Sequence, residues 1–233
     1  PRVLGRARVV AARARDAADM TTSADGPPEG ATPLRGHPAI MRDDVTGVVL
    51  AGGQGRRMGG VDKGLVAFRG APMAAHAIAR LAPQVGAIVV NANQNADAYA
   101  ALGHRVVPDA VGGFAGPLAG LHAGLSAAST PLVVTVPCDS PFLPADLVAR
   151  LGAALEAAGA DIAVARTYDQ PHPVFALVRA SVRPHLEAFL AGGGRKIDAW
   201  YATLATVEVP FDDEAEAFRN INTRDELAAA DGS

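Results

Sequence analysis

The chain has 233 residues, 49% hydrophobic and 19% charged, with a net charge of −3. That length allows one sizeable domain whose core needs no staples, and the composition excludes a disordered chain. The weak negative charge excludes a nucleic-acid coat or attraction to an anionic membrane, so phosphate binding must come from a local cluster of cations.

In chain order, residues 1–41 come first and mix arginine and alanine with a proline- and glycine-rich patch, Gly26-Pro27-Pro28-Glu29-Gly30. Such a segment buries too little apolar surface to offset its ordering entropy, and we expect a disordered leader ahead of a domain spanning 42–233. An arginine-rich targeting segment is the alternative, and Met20 and Met41 both stand where a shorter product could begin. From Val45 onward short apolar runs alternate with helical patterns. Strands are predicted at Thr46–Ala51, Ala87–Asn91, Arg105–Val107, Leu132–Val136, Asp161–Ala165, Val174–Val178 and Thr206–Val209. Helices are predicted at Pro72–Leu81, Pro117–Ala127, Pro144–Ala158, Val182–Leu190, Lys196–Tyr201 and Thr223–Ala230, the last with Thr223 and Glu226 as a capping box. This alternation predicts an α/β fold: a single doubly wound, mainly parallel sheet with helices on both faces. Ligands of such a sheet bind outside the carboxyl ends of its strands, so functional residues are sought there.

The first strand runs into Leu50, Ala51, Gly52, Gly53 and Gly55, where small residues let backbone N–H groups approach phosphate oxygens. Arg56, Arg57 and Lys63 then place three cations close together in sequence; arginine grips phosphate bidentately and lysine acts as a mobile point charge. Two common glycine motifs fail here. Lys63 follows Asp62 and precedes Gly64, unlike a Walker loop, and Met58 stands where the dinucleotide fingerprint needs glycine. Asn91 and Asn93 follow the second strand and read either as turn formers or as amides that bond a base or ribose. Asp109 follows the third strand and reads equally as a cap or a ligand. Asp139, after the valine-rich fourth strand, is the best metal candidate, a hard carboxylate of the kind magnesium uses together with substrate phosphates; the other reading, a cap for the helix starting near Pro144, is a distant one.

Cys138 is the only cysteine, which rules out an intrachain disulfide or a cysteine zinc cage and suits a reducing cytosol, so the localisation expected is cytoplasmic. It reads as a packing residue. No stretch approaches the roughly 18 apolar residues of a membrane helix, and neither a zinc-protease H-E-x-x-H nor a nucleophile-elbow G-x-S-x-G occurs.

The string Leu50-Ala51-Gly52-Gly53, then Arg57-Met58-Gly59-Gly60 and Asp62-Lys63, resembles the N-terminal signature of nucleotidyltransferases that activate sugars, polyols and pterins. Within them the arrangement is similar to the molybdenum cofactor guanylyltransferases. Val89-Val90-Asn91-Ala92-Asn93, Gly116-Pro117-Leu118-Ala119-Gly120, Pro137-Cys138-Asp139-Ser140-Pro141 and Asn220-Ile221-Asn222-Thr223 support it, over about residues 45–230. The resemblance implies transfer of GMP from GTP to molybdopterin, with or without molybdenum, releasing pyrophosphate. It implies Lys63, Arg57 and Asp139 as catalytic and Asp139 as the Mg2+ ligand. It further implies Leu50, Ala51, Gly52, Gly53, Lys63, Asn91, Asp109 and Asp139 for GTP, and Asn220 and Asn222 for the pterin. A helix-entry turn is nearly as good a reading of that last pair, and His172 matches an acceptor-side position of open role. Cofactor-biosynthesis proteins and molybdoenzymes are the partners it suggests. Two rivals share the motifs: a cytidylyltransferase for the same pterin or a polyol phosphate, and a non-catalytic GTP-binding module that delivers the cofactor.

Overall fold

The computed structural model describes residues 8–10, 40–51, 62–110, 116–221 and Glu226. The backbone of Arg8–Val10 forms an outer edge strand (β1); the rest of the expected leader up to residue 39 lies outside the described residues. The first central strand is Val45–Leu50 (β2), a run rich in β-branched side chains that is buried along nearly its whole length. A short hairpin follows, Ala67–Phe68 (β3) and Ala71–Pro72 (β4), closed by Arg69 and Gly70 with φ of 46° and 79°. Both central residues of a two-residue hairpin turn of this twist need positive φ. Met73–Leu81 (α1) starts directly after Pro72, which caps the helix rather than entering its first turn as predicted.

Ala87–Asn91 (β5), Arg105–Val107 (β6) and Pro117–Ala127 (α3) have the predicted bounds, and Ala96–Ala100 (α2) is a short helix that the sequence pattern did not signal. Next come Leu132–Pro137 (β7) and Leu147–Ala158 (α4). This helix begins three residues later than predicted and stops at Gly159, whose φ of 57° closes the last turn in the left-handed region. Ile162–Thr167 (β8) and Gln170–Arg179 (β9) precede Arg183–Ala191 (α5), Ile197–Tyr201 (α6) and Thr206–Pro210 (β10). The predicted closing helix falls outside the described residues, except for Glu226, which is helical.

The strands form one sheet in the order β1-β10-β8-β9-β7-β2-β5-β6. Pairs β2–β7, β2–β5, β5–β6 and β8–β10 are parallel, as expected of a doubly wound sheet. Strand β9 is antiparallel to both neighbours, and β1 runs antiparallel at the edge. The reason for β9 is local. Only Tyr168 and Asp169 separate it from β8, and a connection that short can join antiparallel strands but cannot carry a crossover. Helices cover both faces. Alternate side chains of β2 show it: Val45 and Val49 join the core beneath α1 and α4, with Leu81 and Leu151, whereas Val48 joins the core beneath α3, α5 and α6, with Leu121, Leu186 and Trp200. Helix α3 is buried from Leu118 through Leu125 because it lies between the sheet and α5. From β2 the chain winds toward β5 and β6, then crosses to β7 on the other side. The carboxyl ends of β2 and β7 therefore flank the switch point where open α/β sheets bind ligands.

Candidate active site at the switch point

Backbone bonds tie the strand ends together. Ala51 N–H donates to Asn91 O at 2.8 Å, Cys138 N–H to Leu50 O at 3.1 Å, and Ala92 N–H to Val107 O at 3.0 Å. Leu50, Ala51, Asn91, Asp109 and Asp139 thus share one edge. Gly52, Gly53 and Arg57 lie outside the described residues, as does Asn222.

At the centre, Lys63 donates from Nζ to Oδ2 of Asp139 at 3.3 Å. Asp139 is 9% exposed, so its carboxylate faces a cation in a partly dry setting where electrostatic forces are weakly screened. On the β5–β6 side, Asn91 is buried and donates from Nδ2 to Val107 O at 3.2 Å and to Asp109 Oδ1 at 2.9 Å. Asn93 Nδ2 donates to Asp109 Oδ2 at 2.8 Å, and Asp109 N–H returns a bond to Asn93 Oδ1 at 2.8 Å. The two asparagines and the aspartate, read separately in sequence, form one polar network. Gly120 of α3 packs against it. A Cβ there would come within 2.5 Å of Asn91 Oδ1 and 2.6 Å of Leu50 Cδ2, so only glycine fits.

On the other side, Ser140 donates to Asn220 Oδ1 at 2.5 Å and Ile221 N–H donates to Asp139 O at 3.0 Å. These bonds bring Asn220, eighty residues from Ser140 in sequence, beside Asp139. Ser140 is fully buried, and sequence reading passed over its role because nothing local marks a serine as a tether for a distant loop. His172 accompanies Thr167, with Nε2 and Oγ1 2.7 Å apart, and stacks on Phe218 at 4.8 Å. Burial lowers its pKa below the ordinary value of 6.5. Cys138 is buried and its thiol is pushed far up by desolvation, with the Asp139 charge adding to the rise, so it is a packing residue and no nucleophile.

A lysine and a carboxylate at the switch point of a doubly wound sheet, flanked by a polar asparagine–aspartate network, offer charge and hydrogen-bonding groups of the kind that phosphates and nucleotides use. Residues 47–207 match the MobA-like NTP transferase domain model. The molybdenum cofactor guanylyltransferase of Cupriavidus taiwanensis is 56% identical over 195 residues, 82% of this chain and 98% of that protein. Among solved structures, the molybdopterin-guanine dinucleotide biosynthesis protein A of Archaeoglobus fulgidus is 28% identical with a TM-score of 0.65, covering 80% of this chain and 97% of that one. A Mycobacterium tuberculosis protein solved in complex with manganese shares the fold, at 19% identity and a TM-score of 0.56, over 81% of this chain and 98% of its own. The chain belongs to the MobA-like NTP transferase family and, within it, to the molybdenum cofactor guanylyltransferases. It is a nucleotidyltransferase, as its motifs implied.

Proposed function

We propose that residues 42–233 transfer GMP from GTP to molybdopterin or the molybdenum cofactor, releasing pyrophosphate. The observation that carries this reading is the Lys63–Asp139 pair, 3.3 Å apart between the ends of β2 and β7. The terminal phosphate of the acceptor is already an anionic nucleophile. One of its oxygens attacks the α-phosphorus of GTP, the bond from that phosphorus to the bridging oxygen breaks, and pyrophosphate departs with the electron pair. No side chain has to move a proton. Catalysis then rests on positioning and on positive charge held ready for the departing group.

Lys63 and Arg57 supply that charge, and Leu50, Ala51, Gly52 and Gly53 bring backbone N–H groups to the phosphates. Asn91 and Asp109 contact the nucleoside portion from the β5–β6 side. Asn220, held beside Asp139 by Ser140, faces the pterin from the β7 side, and Asn222 is assigned to the same substrate. Asp139 fits a Mg2+ ligand. It offers one hard, largely buried carboxylate just beyond β7, which suits an ion held by one protein carboxylate, substrate phosphates and water. When bound, such an ion neutralises phosphate charge as a Lewis acid. No helix among the described residues is long and apolar enough to cross a membrane.

The test is pyrophosphate release with each of the four nucleoside triphosphates, with and without molybdopterin. GTP with the pterin should be the productive pair. Preference for CTP would overturn the base assignment, and binding of GTP without release would favour a delivery module. Asp139→Ala should lose on the order of 10²–10³ in rate while keeping the wild-type circular dichroism.

A further inference from the structure

Lys63 sits on a single 3-10 turn, Lys63–Leu65, so its direction depends on what holds that turn. Asp62 caps it: Oδ1 accepts from Gly64 N–H at 3.2 Å, and its backbone oxygen accepts from Leu65 N–H at 3.1 Å. The same carboxylate is gripped from α2. Tyr99 donates its hydroxyl to Oδ1, and Asn95 donates from Nδ2 to Oδ2 at 3.0 Å. Tyr99 is fully buried, whereas Asn95 stands just ahead of α2 with φ of 52°, a left-handed conformation that asparagine tolerates better than most residues. A side chain on Gly64 would collide with the Tyr99 hydroxyl and come within 3.1 Å of Cys138 Sγ. The turn is therefore wedged between α2 and the end of β7, the strand that presents Asp139. Burial, with Cys138 and Asp62 nearby, pushes the Tyr99 phenol far above its ordinary value, so its hydroxyl stays a donor across the working pH range.

We infer that Tyr99 and Asn95 are positioning residues which, through the Asp62 carboxylate, aim the Lys63 ammonium at the phosphate edge beside Asp139. Neither touches the reacting atoms. The inference rests on the role proposed for Lys63, and extends it to a helix that lies on the far side of β5 in sequence. A small misplacement of such a cation costs rate, because charge must be aligned with the departing group before reaction.

Tyr99→Phe removes one oxygen and keeps the buried ring. In single-turnover pyrophosphate release with GTP and molybdopterin, it should lower the rate about 10- to 100-fold, with little change in GTP affinity. Asn95→Ala should act in the same direction. The discriminating measurement is a double-mutant cycle with Lys63→Ala. If Tyr99 works through Lys63, Tyr99→Phe adds nothing once the ammonium is gone. An equal loss in both backgrounds would show a merely structural role and overturn the inference, as would a wild-type rate for Tyr99→Phe. A near-normal rate for Lys63→Ala would remove the reading of Lys63 itself, and the inference with it.

Discussion

Gly120 illustrates how a single hydrogen in place of a methyl group orders one side of the site. Its neighbour Asn91 is buried and spends its amide on Val107 O and Asp109. Gly120→Ala would push a methyl to within 2.5 Å of Asn91 Oδ1 and 2.6 Å of Leu50 Cδ2, so both side chains would have to shift. Overpacking of this kind costs about 1–3 kcal/mol. Because the strained groups form the asparagine–aspartate network, the loss should be functional as well. We expect a lower thermal midpoint together with a raised KM for GTP. A stable variant with wild-type kinetics would show that the network tolerates movement.

Helix α4 carries one face of the sheet. Its buried residues Leu147, Val148, Leu151 and Leu155 recur at helical spacing and lie in the same core as Val49, Val134 and Val207. Leu151 has no exposed surface. Leu151→Ala should therefore destabilise by about 2–5 kcal/mol, the removed transfer energy plus the cavity left behind. Equilibrium urea unfolding would read this as a lower midpoint with an unchanged slope. The opposite helical layer is braced differently. Trp200 of α6 is buried and donates to His185 Nδ1 of α5 at 3.0 Å, while Tyr201 reaches Pro173 O of β9 at 2.8 Å. Those bonds couple α5, α6 and β9, and so stiffen the strand that carries His172.

For the molecule as a whole, His172 links stability to pH. Burial lowers its folded pKa, so the unfolded chain, titrating near 6.5, binds a proton more readily. Its contribution is fully present above about pH 6.5 and is lost as pH falls below that value toward the folded pKa. The thermal midpoint should fall on acidification from about pH 8 to 5, and His172→Gln should flatten that part of the curve. A profile identical in the two proteins would show that His172 does not contribute. The described core has no disulfide, its one cysteine being buried and free, so stability rests on the two apolar layers and responds directly to such single-residue terms.

Much of this was legible in the linear chain. The strands β2, β5, β7 and β10 are short apolar runs, largely buried, and leave little ambiguity, while β6 is a short edge strand marked by its two valines; the strand-end rule then singled out Asn91, Asp109 and Asp139 without reference to contacts. The motifs around Lys63 and Asp139 identified nucleotidyl transfer, because that chemistry constrains residue types near phosphate more tightly than it constrains the rest of the fold. The antiparallel course of β9 was hidden, since periodicity reports burial and not strand direction. The hairpin β3–β4 and helix α2 are too short for a periodic signal. Above all, the partnerships Lys63–Asp139, Ser140–Asn220 and Asp62–Tyr99 join residues 76, 80 and 37 positions apart. Spacing alone does not encode such pairs; they exist because the crossover at the switch point folds separate strand ends onto one edge.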